Sequence, residues 1–281
     1  MTKQLSILAL LLLTLTGCSP SSTTLPAVKL YAMDCGITDI SDMSDFSIEG
    51  KYKGEKLTLV YPCFLISHPK GDLIWDTGLP QTIADMPGGL KMGVYHMQVK
   101  ANLKQQLGQL NMTTKDIEFL SLSHSHFDHV GNANLFAQST FIVNAPEREY
   151  MFSDNRKHTD QDSLALYSEL EKAKTTTFNN EHDVFGDGTV MIKSMPGHTV
   201  GSAILMLKLA KAGPVILTGD LYTHARARTM ETFTRYHGDQ AQTKRSREAF
   251  EDLVKQKKAR VIIQHEKADY DALPAFPMYL E

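Results

Sequence analysis

Short apolar runs, separated by turn residues, recur along most of this chain and predict β-strands. One pair of runs covers residues 57–68 and 73–75, with the turn residues Pro69-Lys70-Gly71-Asp72 between them, which predicts a hairpin. Further runs of strand length occupy residues 117–122, 140–143, 190–193, 203–209, 215–217 and 260–263.

Two segments carry apolar residues at the helical period instead. Residues 99–110 place Leu103, Leu107 and Leu110 on one face, and residues 242–256 place Phe250, Leu253 and Val254 on one face. Helix start and stop signals also occur at residues 146–152 and 162–173. The polar stretch between them, residues 153–161, is predicted to be an exposed loop.

Helices interleave with the strands, which predicts an α/β protein whose two groups of strands form two sheets with helices outside. About 250 residues follow residue 28, a length that one large α/β domain uses without splitting. We therefore predict a single domain over residues 28–281.

The first eighteen residues differ in composition from the rest of the chain. Lys3, an apolar run over residues 5–15 and then Thr16-Gly17-Cys18 predict an export signal, too short for a comfortable membrane span. The end of this segment resembles a bacterial lipobox, in which the cysteine is acylated and becomes the mature N-terminus. We expect a lipid anchor at Cys18 and a location in the periplasm or at the outer membrane; an ordinary cleaved signal and an uncleaved anchor remain as alternatives.

Residues 19–27 are small and polar with two prolines, which suits a tether between an anchor and the domain. The composition, 42% hydrophobic and 22% charged with a formal net charge of −3, is that of a globular enzyme and argues against a nucleic-acid partner. Cys35 and Cys63 both lie in strand-like segments, and we favour two buried thiols. A disulfide remains open if those two strands pair.

Four side chains able to bind a metal fall within six residues in Ser123-His124-Ser125-His126-Phe127-Asp128-His129, directly after the run at residues 117–122. Imidazole nitrogens and carboxylates are the ligands that zinc and related metals prefer. Because alternate residues of an extended segment face the same way, His124 and His126 can reach one metal together, and Asp128 and His129 can face another.

Three later apolar runs each end at one more candidate ligand: His198 in Pro196-Gly197-His198, Asp220 in Leu217-Thr218-Gly219-Asp220, and His265 in Ile262-Ile263-Gln264-His265. In this order the set resembles the metallo-β-lactamase superfamily and most closely its N-acyl-homoserine lactonase branch. The resemblance implies the four-layer αβ/βα sandwich of that superfamily, in which active sites lie at strand ends.

By the same resemblance, His124, His126 and His198 hold one metal, Asp128, His129 and His265 hold the other, and Asp220 bridges both. Two zinc ions are expected, although such ligands also accept other divalent metals. Asp76, in Asp76-Thr77-Gly78, matches a carboxylate that supports the ligand loop without touching metal; the alternative is an ordinary turn residue.

The activity implied by the resemblance is hydrolysis of the lactone ring of N-acyl-homoserine lactones by a hydroxide that bridges the metals. Asp128 would carry the proton to the leaving alkoxide, and Phe127 matches an apolar residue that touches substrate. Tyr222 is a candidate to contact the substrate carbonyl, although it lies two residues after Asp220, whereas better-known lactonases place a tyrosine three residues after this aspartate. His224 could contact the carbonyl instead, although a histidine in a loop is more often solvated. Methionines of the loop over residues 79–99 either contact the acyl chain or merely pack the loop.

Other hydrolases of the superfamily remain as alternatives: a β-lactamase, a thioesterase, or a broader lactonase or esterase. The expected bridging aspartate argues against the β-lactamase. A lipid-anchored metal-binding protein without catalysis is the alternative of a different class, and it would be favoured by a missing ligand; the sequence lacks none of the seven.

Overall fold

A computed structural model describes residues 25–281. The predicted export signal over residues 1–18 and residues 19–24 of the predicted tether lie outside the described residues. None of the helices within residues 25–281 has both the length and the apolar character needed to cross a bilayer.

The described chain folds into strands and short helices in alternation. The strands are β1 (Lys29–Ile40), β2 (Leu57–His68), β3 (Gly71–Trp75), β4 (Leu90–Met92), β5 (Tyr95–Gln98), β6 (Phe119–Ser121), β7 (Thr140–Asn144), β8 (Thr175–Phe178), β9 (Glu181–Asp183), β10 (Val190–Ser194), β11 (Ala203–Leu209), β12 (Gly213–Leu217) and β13 (Arg260–Ile262). The α-helices are α1 (Leu103–Gln109), α2 (Phe127–Val130), α3 (Ala145–Met151), α4 (Asp154–Thr159), α5 (Gln161–Ala165), α6 (Ala225–Thr229), α7 (Gln240–Lys257) and α8 (Lys267–Asp271).

These strands form two mixed sheets. The first has eight strands in the order β4-β5-β1-β2-β3-β6-β7-β8, and the second has five in the order β13-β12-β11-β10-β9. The predicted hairpin is present as β2 and β3, paired antiparallel with Phe64 opposite Trp75. β3, β6, β7 and β8 run parallel to one another, so that the loops after β3 and β6 leave the same edge of the sheet.

The side chains alternate along the strands and separate the fold into layers. In β11, Leu205 and Leu207 belong to the core between the sheets, together with Phe64 and Trp75 of the first sheet. Ile204 faces the other way, against Phe250 of α7. The outer face of the first sheet packs against Leu107 of α1 and Met151 of α3. The resulting order is helix, sheet, sheet, helix, which confirms the predicted four-layer sandwich.

Three local predictions are wrong. Residues 79–99, expected to form a loop, contain strands β4 and β5. Residues 153–161 contain helix α4 in place of an exposed loop. Cys35 and Cys63 are joined by a disulfide with a Cα–Cα distance of 5.7 Å, so the two buried thiols that the sequence favoured do not occur. The sequence had left a disulfide open if the two strands pair, and they do. β1 pairs antiparallel with β2, with a register shift between Asp34 and Ile37, next to Cys35.

Candidate metal centre

Four separate segments bring the predicted ligands together where strands of both sheets end. His124 and His126 follow β6, and Asp128 and His129 lie in the short helix α2 directly after them. His198 follows β10, Asp220 follows β12, and His265 follows β13. Strand ends position such loops rigidly, and this is why residues far apart in the chain can meet at one site.

The first group consists of His124, His126, His198 and Asp220. His124 Nε2 lies 2.9 Å from His126 Nδ1 and 3.1 Å from His198 Nε2. His198 Nε2 lies 2.9 Å from His126 Nδ1 and 3.2 Å from Asp220 Oδ2. Three imidazole nitrogens and one carboxylate oxygen therefore converge on one point.

The second group consists of Asp128, His129 and His265, and Asp220 also reaches it. His129 Nε2 and His265 Nε2 lie 3.1 Å apart, and Asp128 Oδ2 is 3.7 Å from each of them. Asp220 Oδ1 lies 2.8 Å from His265 Nε2 and 3.3 Å from His129 Nε2. Asp220 thus presents one oxygen to each group.

The chemistry of these atoms fits metal ions. Asp220 Oδ1 is buried and has no hydrogen-bond partner among residues 25–281, a costly arrangement unless a cation compensates it. Burial, reinforced by neighbouring imidazoles, holds the pKa values of His124 and His126 well below the usual histidine value. Neutral imidazoles keep the nitrogen lone pairs that metal binding requires.

Asp76 lies behind the cluster, as the sequence predicted for a supporting carboxylate. It is 1% exposed; its Oδ1 accepts a hydrogen bond from the Ser123 backbone N–H at 2.6 Å, and its Oδ2 lies 2.8 Å from His129 Nδ1. A proton on Nδ1 leaves Nε2 of His129 free to face the second group. The residue therefore orients a histidine of the cluster, and it also occupies a turn with a positive φ of 57°.

Gln264 and His237 support the site, and no role was predicted for either from the sequence. Gln264 accepts a hydrogen bond from the Trp75 indole N–H at 3.2 Å and donates one to Asp76. His237 places Nδ1 3.0 Å from His198 Nδ1, and its Nε2 lies 3.2 Å from Arg247 Nη2. Gln264 could have been suspected because it directly precedes His265, whereas no motif marks His237.

A cavity of about 320 Å³ opens onto the cluster, a volume at the lower end for small-molecule sites. Its walls are largely apolar and include Phe46, Leu59, Met92, Met97 and Phe127. Phe127 lies in the wall of this cavity, and its contact with substrate stays a prediction. Of the methionines in residues 79–99, Met92 of β4 and Met97 of β5 line the cavity.

Tyr222 does not face this cavity, which contradicts its predicted contact with substrate. Its hydroxyl donates a hydrogen bond to Glu251 Oε1 of α7 at 3.0 Å, and its ring lies under the Arg247 guanidinium at 4.5 Å. It lines a separate, larger cleft of about 730 Å³ over α7, which none of the seven predicted ligands lines. His224 is 1% exposed and packs edge-on against Phe46 and Tyr52 instead of being solvated.

Comparison with known proteins agrees with this geometry. The chain is 30% identical over 239 residues to the N-acyl homoserine lactonase AttM of Azorhizobium caulinodans, an alignment covering 79% of this chain and 87% of that protein. It is 23% identical to the N-acyl homoserine lactonase AiiA of Bacillus thuringiensis subsp. kurstaki, covering 90% of this chain and 98% of that protein.

A crystal structure of a B. thuringiensis AiiA mutant with N-decanoyl-L-homoserine at its active site has the same fold, with a TM-score of 0.77, 21% identity and coverage of 91% of this chain and all of that one. Residues 59–265 match the sequence profile of the metallo-beta-lactamase superfamily, a span that holds every residue of both ligand groups. The chain therefore belongs to the metallo-beta-lactamase superfamily.

Proposed function

We propose that this protein is a dinuclear metal hydrolase that opens the lactone ring of N-acyl-homoserine lactones and so silences signals of this class. The single observation that carries the proposal is that the two ligand groups share Asp220. Its Oδ2 lies 3.2 Å from His198 Nε2 of the first group, and its Oδ1 lies 2.8 Å from His265 Nε2 of the second. The substrate class is supported by the activity named for the relatives AttM and AiiA.

His124, His126 and His198 would hold one ion, Asp128, His129 and His265 the other, and Asp220 both. Histidine and carboxylate donors in this number suit zinc, our first choice, although other divalent metals bind such sets. When bound, two such ions supply a nucleophile from water near neutral pH and polarise a carbonyl oxygen.

The side chains around the cluster divide the remaining tasks. The apolar walls near Phe127, Met92 and Met97 bury an acyl chain and exclude water, while the ring carbonyl lies over the histidines. Asp128 is 16% exposed at the cavity floor, so its carboxylate can take up a proton and deliver it to the alkoxide oxygen released when the ring opens.

The test is hydrolysis of N-hexanoyl- and N-decanoyl-homoserine lactones by the metal-loaded full-length protein, with a cephalosporin, a thioester and a simple γ-lactone as comparison substrates. Metal content is measured on the same sample. We expect two ions per chain and ring opening of the acyl-homoserine lactones at least tenfold faster than turnover of the others. Removal of the ions by a chelator should abolish activity, and zinc should restore it.

Preference for the cephalosporin or the thioester would reject the lactonase proposal in favour of another activity of the superfamily. Equal rates with the simple γ-lactone would indicate a broad lactonase. His198→Ala should remove activity while the far-ultraviolet circular dichroism stays unchanged; an unaffected rate would reject the site itself.

We also propose that the protein is exported and anchored through lipid at Cys18. The disulfide between Cys35 and Cys63 supports export, because structural disulfides form in oxidising compartments and are rare in the cytosol.

A further inference from the structure

A second buried carboxylate lies beside the cluster. Glu147 of α3 is 1% exposed and forms no ion pair within residues 25–281. Its Oε1 accepts hydrogen bonds from the Ser125 backbone N–H at 2.8 Å and from the Ser125 hydroxyl at 2.7 Å. Its Oε2 accepts hydrogen bonds from the Thr199 hydroxyl at 2.7 Å and from the Gly201 backbone N–H at 2.9 Å.

These four donors belong to the two loops that carry the first ligand group. Ser125 lies between His124 and His126, and Thr199 directly follows His198. One side chain therefore ties both loops to α3 through hydrogen bonds to an ionised acceptor, which are stronger than those between neutral groups. Gly201 permits this approach, because a Cβ at that position would lie 2.5 Å from Glu147 Cβ.

The hydrogen bonds of the Glu147 carboxylate all go to the loops of the first group, whereas Asp76 reaches both groups. Asp76 contacts His129 of the second group directly, and it holds Ser123 on the other side of His124. None of the hydrogen bonds of Glu147 goes to Asp128, to His265 or to their immediate neighbours. A change at Glu147 should thus be felt by the first group and only weakly by the second.

We propose that Glu147 is a positioning residue for the first metal: it fixes the separation between the His124–His126 loop and the His198 loop, and thereby the affinity of the ion that these three histidines bind. This role rests on the proposed two-metal site and adds a determinant for one half of it. A bound ion needs its ligand atoms at set distances, and two loops without a common tie would lose part of the binding energy in ordering themselves.

Glu147→Gln is the main test because it keeps the length of the side chain while turning one acceptor oxygen into an N–H donor that faces other donors. Metal affinity is measured on full-length protein by competition with a chromophoric chelator, and His198→Ala and His265→Ala identify which affinity belongs to which group. We expect the first-group ion to bind about 10- to 100-fold more weakly, as for other residues that support ligands, and the second to change by less than about threefold.

Two further variants separate positioning from charge and from folding. Glu149→Gln makes the same chemical change on an exposed residue of the same helix and should leave both affinities unaltered. Ser125→Ala removes one hydrogen bond to Glu147 without changing any charge, and it should weaken the first-group ion in the same direction but less. Ser125→Ala also carries the test if Glu147→Gln fails to fold.

The proposal is overturned if Glu147→Gln and Ser125→Ala leave the first-group affinity unchanged, or if they weaken both ions equally. A wild-type protein that binds only one ion would instead refute the two-metal part of the proposed function. The role of Glu147 would then be judged on whether that one ion weakens in the Gln variant.

Discussion

At the scale of single residues, the centre depends on how Asp220 directs its two oxygens. Oδ2 faces His198 of the first group and Oδ1 faces His265 of the second, at 3.2 Å and 2.8 Å. Burial would raise the pKa of Asp220, but the imidazoles of His265, His129 and His198 hold it well below the usual aspartate value. Asp220 is therefore an anion that both groups share, so a change at this residue affects both groups.

The first prediction concerns Tyr222. Because its hydroxyl donates to Glu251 and its ring packs against α7, Tyr222→Phe should leave kcat and KM for an acyl-homoserine lactone within about twofold of wild type. The variant should lose only about 1 kcal/mol of unfolding free energy, the usual contribution of one hydrogen bond. Steady-state kinetics and urea unfolding measure the two effects.

Asp128→Asn provides the contrast, since that carboxylate borders the cavity and faces both His129 and His265. We expect its kcat to fall at least a hundredfold, in line with the loss of a group that moves protons. A comparable fall in Tyr222→Phe would show that the tyrosine reaches the substrate after all.

The second prediction concerns pH and His224. Burial, together with the charges of Arg226 and Arg247, lowers the pKa of His224 to about 4, below the usual value of about 6.5 for a histidine in an unfolded chain. The unfolded state then binds more protons as the pH falls, so stability is full above about pH 6.5 and decreases towards pH 4. The slope contributed by His224 is at most about 1.4 kcal/mol per pH unit.

His224→Asn isolates this contribution. The Nδ1 of His224 accepts the Ala227 N–H at the start of α6, and asparagine can cap a helix in the same way without titrating. Urea unfolding of the metal-free proteins between pH 4 and 8 should give a shallower decline on the acid side for the variant. Parallel curves for the two proteins would contradict the buried, neutral state of His224.

At the scale of secondary structure, the sequence predicted the elements whose apolar pattern is regular. The hairpin of β2 and β3 and the strand Ala203–Leu209 occur where predicted, because these segments are nearly continuous apolar runs bounded by turn residues. Helix α4 was missed because it has no apolar face. It is held by the cap of Ser153 on the Arg156 N–H and by the ion pair of Arg156 with Asp160 at 2.6 Å.

The same difference explains which parts of the site could be foreseen. All seven ligands lie in short motifs directly after strands, so local sequence and the family resemblance were enough to find them. The orientation of Tyr222 depends on the tight turn Gly219–Leu221 and on Glu251 and Arg247 of α7, and Glu147 depends on where α3 docks. Such contacts follow from packing between distant segments, which no local pattern reports.

The third prediction concerns the disulfide that joins β1 to β2. It closes a loop of 28 residues, and the chain-entropy model gives about 3–4 kcal/mol of stabilisation for a loop of that length. Cys35→Ala combined with Cys63→Ala should lower the unfolding free energy by about that amount. Gly78, in the turn after Asp76, packs against Cys35 Cβ, an atom that alanine keeps, so the variant should retain the geometry of that turn.

A reducing agent supplies the control, since it should destabilise wild type and leave the double variant unchanged. Alkylation of the unfolded, unreduced protein should label neither Cys35 nor Cys63. Labelling of both would restore the two buried thiols that the sequence favoured.

At the scale of the whole molecule, the place where β1 begins matters for the proposed anchor. Lys29 begins β1 opposite Ser67, whereas the cavity lies at the other end of the strand pair, where Leu59 is opposite Thr38. Thr38 lies nine positions after Lys29 along the extended strand, about 30 Å at the usual rise per residue. A tether ending at residue 27 would therefore hold the domain by the end remote from the cavity, leaving the cavity open to dissolved substrate.

The last prediction follows from this separation. Cys18→Ala removes the residue that would be acylated, and it should move the protein from the membrane fraction to the soluble fraction of exporting cells, because a lipid anchor contributes most of the membrane affinity of a protein held in this way. Its specific activity towards a short-chain acyl-homoserine lactone should stay within about twofold of wild type, since the tether would join the domain before β1, at the end of that strand remote from the cavity. Retention of the variant in the membrane fraction would point to an uncleaved apolar segment, and loss of activity on release would place the membrane beside the cavity, against the geometry of β1.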